Sequence, residues 1–88
     1  MDVTDNRGER RYELSTEAGP AIAAYDLDGD TITFTHTVVP PEAEGHGVGS
    51  RLIAGALADA KARGLKVVPQ CPFVAAYLQR HPDAATPA

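Results

Sequence analysis

The segment TITFTHTVVPPEAEGHGVGS, residues 31–50, decides how the chain folds, because its periodicity changes partway along. From Thr31 to Val39 the side chains alternate, with Ile32, Phe34, His36 and Val38 on one face and Thr31, Thr33, Thr35 and Thr37 on the other. A period of two in β-branched and aromatic residues is the pattern of a strand. Beyond Pro40-Pro41 comes the run Glu44-Gly45-His46-Gly47-Val48-Gly49-Ser50, and then the spacing turns helical. Leu52, Ile53, Ala56, Leu57 and Ala60 form one stripe, and Arg51, Asp59, Lys61 and Arg63 fall mostly outside it. Gly64 sits where a helix C′ glycine belongs.

Outward from this segment, Asp28-Gly29 predicts a hairpin turn into the strand. Arg11 to Ser15 and Ala21 to Leu27, separated by the turn-like Glu17-Ala18-Gly19-Pro20, read as two antiparallel strands. On the other side, Leu65 to Val68 is a short apolar run ended by Pro69, expected to return beside Thr31 to Val39 through a right-handed βαβ crossover. Pro72 suits the first position of a last helix that Pro82 stops near His81. The expected order is β-β-β-α-β-α, an α/β (α+β) domain with a mixed, mostly antiparallel sheet. The folded part is expected from about Arg10 to His81, with residues 1–9 and 83–88 flexible.

Composition narrows the functions. Eighty-eight residues suit one compact domain, and 43% hydrophobic residues without Trp give a modest core. A net charge of -4 with scattered Lys and Arg offers no basic face for nucleic acid. The single cysteine, Cys71, builds neither an internal disulfide nor a zinc site, which points to a reducing compartment and a cytoplasmic protein. No apolar run approaches the roughly 20 residues of a membrane span, and the polar start lacks a signal-peptide core, so no membrane partner is expected. Asp26, Asp28 and Asp30 misplace the glycine of a calcium loop and put Thr37 at its last position, so no metal is expected there.

The glycine run lies between a strand and a helix, where small residues let backbone N–H groups approach an anion closely. It lacks the Gly-Lys-Ser/Thr ending of a phosphate-binding loop for nucleoside triphosphates. A dinucleotide fold would need an acidic residue about 20 positions on, where this chain reads Val67-Val68-Pro69-Gln70.

Glu44-x-x-Gly47-x-Gly49 resembles the Gln/Arg-x-x-Gly-x-Gly/Ala signature of the GNAT acetyltransferase superfamily. Phe34 to Pro40, Gly45-x-Gly47-x-Gly49, Leu65 to Cys71 and Arg80-His81-Pro82 resemble its small, single-domain YjdJ-like branch, over roughly residues 12 to 82. The resemblance implies a minimal GNAT-like fold and an N-acetyltransferase that takes acetyl-CoA as cosubstrate and an unidentified amine as acceptor. Val38, Val39, Glu44, Gly45, His46, Gly47, Val48, Gly49 and Ser50 would then line the cofactor site, with the backbone N–H groups of residues 46–50 on its pyrophosphate. Glu44 departs from the signature, and Glu42 is close by; an exposed charge near a helix N-terminus is worth about 0.3–1 kcal/mol, here against binding.

Cys71, before Pro72, sits near a helix N-cap, where free N–H groups favour a thiolate. It reads either as a small buried hydrophobe or, in the resembling branch, as a catalytic thiol that accepts the acetyl group. His36, on the face of Ile32 and Phe34, is expected as a core histidine or as the base. Tyr77 reads as a packing residue or as a flank to the pantetheine arm, and His81 as a helix-end residue. The alternative to an enzyme is a non-catalytic acyl-CoA-binding or protein-interaction module, since so short a chain lacks elements to shape an acceptor pocket. The threonine face admits a monomer or a homodimer.

Overall fold

The computed structural model describes residues 2–88, in which six strands form one sheet in the order of the sequence. Strands β1 (Val3–Asn6), β2 (Arg11–Thr16), β3 (Gly19–Asp28) and β4 (Thr31–Val38) make an antiparallel meander. Helix α1 (Val48–Ala62) then crosses to β5 (Lys66–Pro69), parallel to β4, and helix α2 (Pro72–Arg80) crosses to β6 (Thr86–Pro87), parallel to β5. The mixed α+β architecture expected from the sequence is therefore present, with a strand added at each end. The sequence placed the folded part at about Arg10 to His81. The flanking segments join the sheet: β1 pairs with β2 from Val3↔Leu14 to Asn6↔Arg11, and Lys66 pairs with Thr86. β1 escapes a reading by periodicity because four mainly polar residues at a sheet edge carry little apolar alternation.

Both helices pack on one face of the sheet. Leu52, Ile53, Ala56, Leu57 and Ala60 of α1 are buried against Tyr12, Leu14, Ala21, Ala23, Tyr25, Ile32 and Phe34. Ala21 and Ala23 of β3 carry only a methyl, which lets the helix approach closely. Val74 of α2 and Val67 of β5 extend the same core. α1 ends as the sequence indicates: Gly64 takes φ 72°, its N–H bonds the Lys61 carbonyl, and the Leu65 N–H bonds the Ala60 carbonyl. These are the two bonds of a Schellman cap, with buried Leu65 as its apolar contact. No helix among the described residues is long and apolar enough to cross a membrane.

The main departure from the expected alternation is a bulge in β4. Ala24 pairs with His36 and Tyr25 with Phe34, which leaves Thr35 without a partner in β3. One extra residue reverses the facing of everything after it. Ile32 and Phe34 point to the core as expected, but His36 and Val38 turn to the open face, opposite Ala24 and Ile22. Thr37, paired with the fully buried Ala23, turns toward the helices instead. The expectation of His36 as a core histidine is thereby corrected, since its side chain is exposed. Thr35 Oγ1 donates to the Ala24 carbonyl at 3.3 Å and holds the bulge.

Gly55 marks the closest approach of α1 to β1, where a Cβ would meet Val3 Cγ2 at 2.6 Å and Val3 Cβ at 2.7 Å. Ala in place of Gly adds up to about 1 kcal/mol of helix propensity, whereas overpacking costs about 1–3 kcal/mol. Gly55→Ala is expected to lower stability in denaturant unfolding, and the sign is expected to reverse in a Val3→Gly background.

Candidate functional site

β4 and β5 pair only from Thr31↔Lys66 to Phe34↔Pro69. One more backbone bond follows, from the Cys71 N–H to the Phe34 carbonyl at 2.9 Å. Beyond it the β5 side of β4 has no strand partner among the described residues, and a cleft of about 420 Å³ opens between this bare edge, the start of α1 and the start of α2. Thr37 and Val39 form its strand wall, Ala43, Glu44, Gly45 and Gly47 its rim, Val48, Gly49 and Ser50 its helix end, and Phe73 its cover.

The turn that closes the cleft owes its shape to glycine. Gly45 and Gly47 have φ 83° and 72°, left-handed values at which most other residues are strained. Pro41–Ala43 forms a 3₁₀ turn first, and Gly47 caps α1. The first helical bond runs from the Arg51 N–H to the Gly47 carbonyl, so the N–H groups of Val48, Gly49 and Ser50 precede the ladder. No acidic residue lies in that first turn. The positive end of a 15-residue helix thus faces the cleft, a ready environment for an anion, although Glu44 on the rim opposes it. The exposed Arg51 is paired with Asp2.

Cys71 caps α2 in extended conformation and is 3% exposed. Its Sγ lies 3.3 Å from Thr37 Oγ1. Burial pushes the thiol up, but the Thr37 hydroxyl and the backbone N–H groups of Val74, Phe73 and Thr37 outweigh it and hold the thiol below its ordinary value. Sγ makes no cap hydrogen bond of regular geometry, so those α2 amides act on it mainly as dipoles at short range.

Of the residues singled out from the sequence, Val39, Glu44, Gly45, Gly47, Val48, Gly49 and Ser50 come together at the cleft, with Cys71 directly behind Thr37. Val38 and His36 face the other side of β4. His46 points away from this cleft and lines a smaller cavity of about 280 Å³ with Thr16, Glu17 and Glu42. Tyr77 lies along α2, its ring 4.5 Å from that of His81, and is not part of the wall. The aromatic cover is Phe73, and the hydroxyl beside Cys71 is that of Thr37; sequence alternation places Thr37 on the other face because the bulge leaves no mark in residue type. Among the described residues, no three His, Cys, Asp or Glu side chains gather as a metal-ligating group.

A Cβ at Gly49 would stand 2.6 Å from Phe73 Cζ, the same distance as the clash at Gly55. Here the neighbour is the outer end of a ring that is 40% exposed, so it can swing aside. Gly49→Ala is expected to change stability by less than about 1 kcal/mol in urea melts, because propensity and displacement nearly cancel. With Phe73→Ala in place, the same change is expected to stabilise.

A family model described as GCN5-related N-acetyl-transferase matches residues 11–86 of the 88. The search of curated proteins returned no match.

Proposed function

The chain belongs to the GCN5-related N-acetyltransferase family, and on that premise we propose that it transfers an acetyl group from acetyl-CoA to an amine. The observation that carries this reading is the cleft itself, which has helix N–H groups at one end and the Thr37–Cys71 pair at the bare edge of β4. The residues present fit the cosubstrate. Val48, Gly49 and Ser50 would donate their N–H groups to its pyrophosphate, Gly45 and Gly47 leave the approach free of side chains, and Phe73 would cover the pantetheine arm. Val39 is its apolar neighbour on β4.

Acetyl-CoA, when bound, supplies a thioester whose carbonyl carbon is open to attack by an amine. A thiol as enclosed as Cys71 suits proton transfer better than attack on a carbonyl, so the amine is assigned the direct attack and Cys71 the acid. His36, on the opposite face of the same stretch of β4, would take the proton that the amine sheds. The two groups would thus work from opposite faces of one strand, with acceptor amines entering from the open face of the sheet.

A non-catalytic acyl-CoA-binding module is the second reading, favoured by one observation: among the described residues, Glu44 is the only titratable side chain on the cleft wall. Calorimetric titration with acetyl-CoA followed by an amine screen separates the two, since binding without transfer would select the module. A folded protein that binds no acetyl-CoA would remove both. Because Glu44 opposes an anion at the turn, Glu44→Gln is expected to tighten acetyl-CoA binding about two- to fivefold, the equivalent of about 0.3–1 kcal/mol.

A further inference from the structure

Cys71 has no surface in the cleft, yet its proton has one short way into it. The thiol is 3% exposed and absent from the wall, whereas Thr37 belongs to the wall and places Oγ1 3.3 Å from Sγ. Building on the acetyl-transfer reading, we infer that the Thr37 hydroxyl carries the Cys71 proton into the cleft. The Oγ1–H bond breaks as its proton passes to the sulfur that leaves the acetyl group, and the Sγ–H bond breaks as Oγ1 takes that proton in exchange. Cys71 is left as a thiolate. The proton taken from the amine by His36 returns to it through solvent after the product departs, so the cycle closes without any other reactant.

The surroundings of Sγ suit that temporary charge. The first-turn N–H groups of Phe73 and Val74 face it, along with the Thr37 amide. The titratable groups on the elements around it lie elsewhere: His36 on the far face of β4, Lys66 at the start of β5, exposed Arg51 on α1 with Asp59 and Lys61 near its other end, Tyr77 and Arg80 on the later turns of α2, and Glu44 on the rim of the glycine turn. A thiol acid acts only while protonated, so turnover is lost as pH rises through the Cys71 pKa.

The relay is tested with Thr37→Val, which keeps the shape and removes the hydroxyl, beside Thr37→Ser, which keeps the hydroxyl. In the protein alone, the difference in ultraviolet absorbance between each protein and its Cys71→Ala counterpart titrates the single thiolate apart from the three tyrosines. Thr37→Val is expected to move that titration to higher pH and Thr37→Ser to leave it in place. With acetyl-CoA and an amine, Thr37→Val is expected to lower kcat about a hundredfold at unchanged KM for acetyl-CoA and to erase the alkaline limb, with Thr37→Ser restoring both. A Thr37→Val protein that titrates or turns over as wild type overturns the relay. A folded wild type that binds acetyl-CoA but acetylates no amine overturns the transferase reading, and the relay with it, whatever the titration shows.

Discussion

The extra residue at Thr35 is the constraint on which the arrangement of the site depends. A regular β4 would put Thr37 on the open face and His36 among the helices, and the cleft would lose the hydroxyl on its strand wall and the contact to Cys71. The bulge also comes where β4 gives up its partner: pairing with β5 ends at Phe34, one residue before Thr35. Bulges interrupt a ladder and bend the strand. Here the interruption turns an edge that would template another strand into the wall of a cavity, and Phe73 and the first turn of α1 close over it.

An opening of this kind at one end of α1 is matched by tight polar bonding at the other. The Tyr12 hydroxyl donates to Asp59 at 2.6 Å and the Tyr25 hydroxyl to Asp5 at 2.6 Å, while Arg63 bonds Asp5 at 3.0 Å and Asp59 at 3.3 Å. This network joins β1, β2, β3 and the C-terminal turn of α1. Burial, with the Asp5 carboxylate beside it, pushes the Tyr25 phenol up to about 12, so both tyrosines remain neutral donors to their aspartates. Among the described residues no buried side-chain nitrogen or oxygen lacks a partner.

The sequence made most of the fold legible. The stripe from Leu52 to Ala60, the Gly64 cap, the Asp28-Gly29 turn and the return strand all carry local signals, and each element forms close to where its pattern predicts. The glycine run was also legible, because Gly45 and Gly47 need a backbone that few other residues tolerate. The bulge was not legible, since Thr35 differs in no respect of composition from Thr33 or Thr37. Every departure from plain alternation on β4 follows from that one residue: alternation alone puts His36 and Val38 toward the core and Thr37 toward solvent. That the aromatic at the cleft is Phe73 and not Tyr77 has a different origin. Both lie on α2, and only the closeness of the ring to Gly49 shows which one leans over the start of α1.

The strand order of the sheet is the order of the chain, β1 through β6, so each strand pairs with its immediate predecessor and successor. Every pairing therefore closes a loop no longer than one helix with its connections, and loop-closure entropy grows with that length. Mixed α/β chains with such local connectivity have little need to search for distant partners, and their folding rates rise as the mean sequence separation of contacts falls. On a ribosome, this sheet would be able to grow strand by strand as the chain emerges, each new edge waiting only for the next segment.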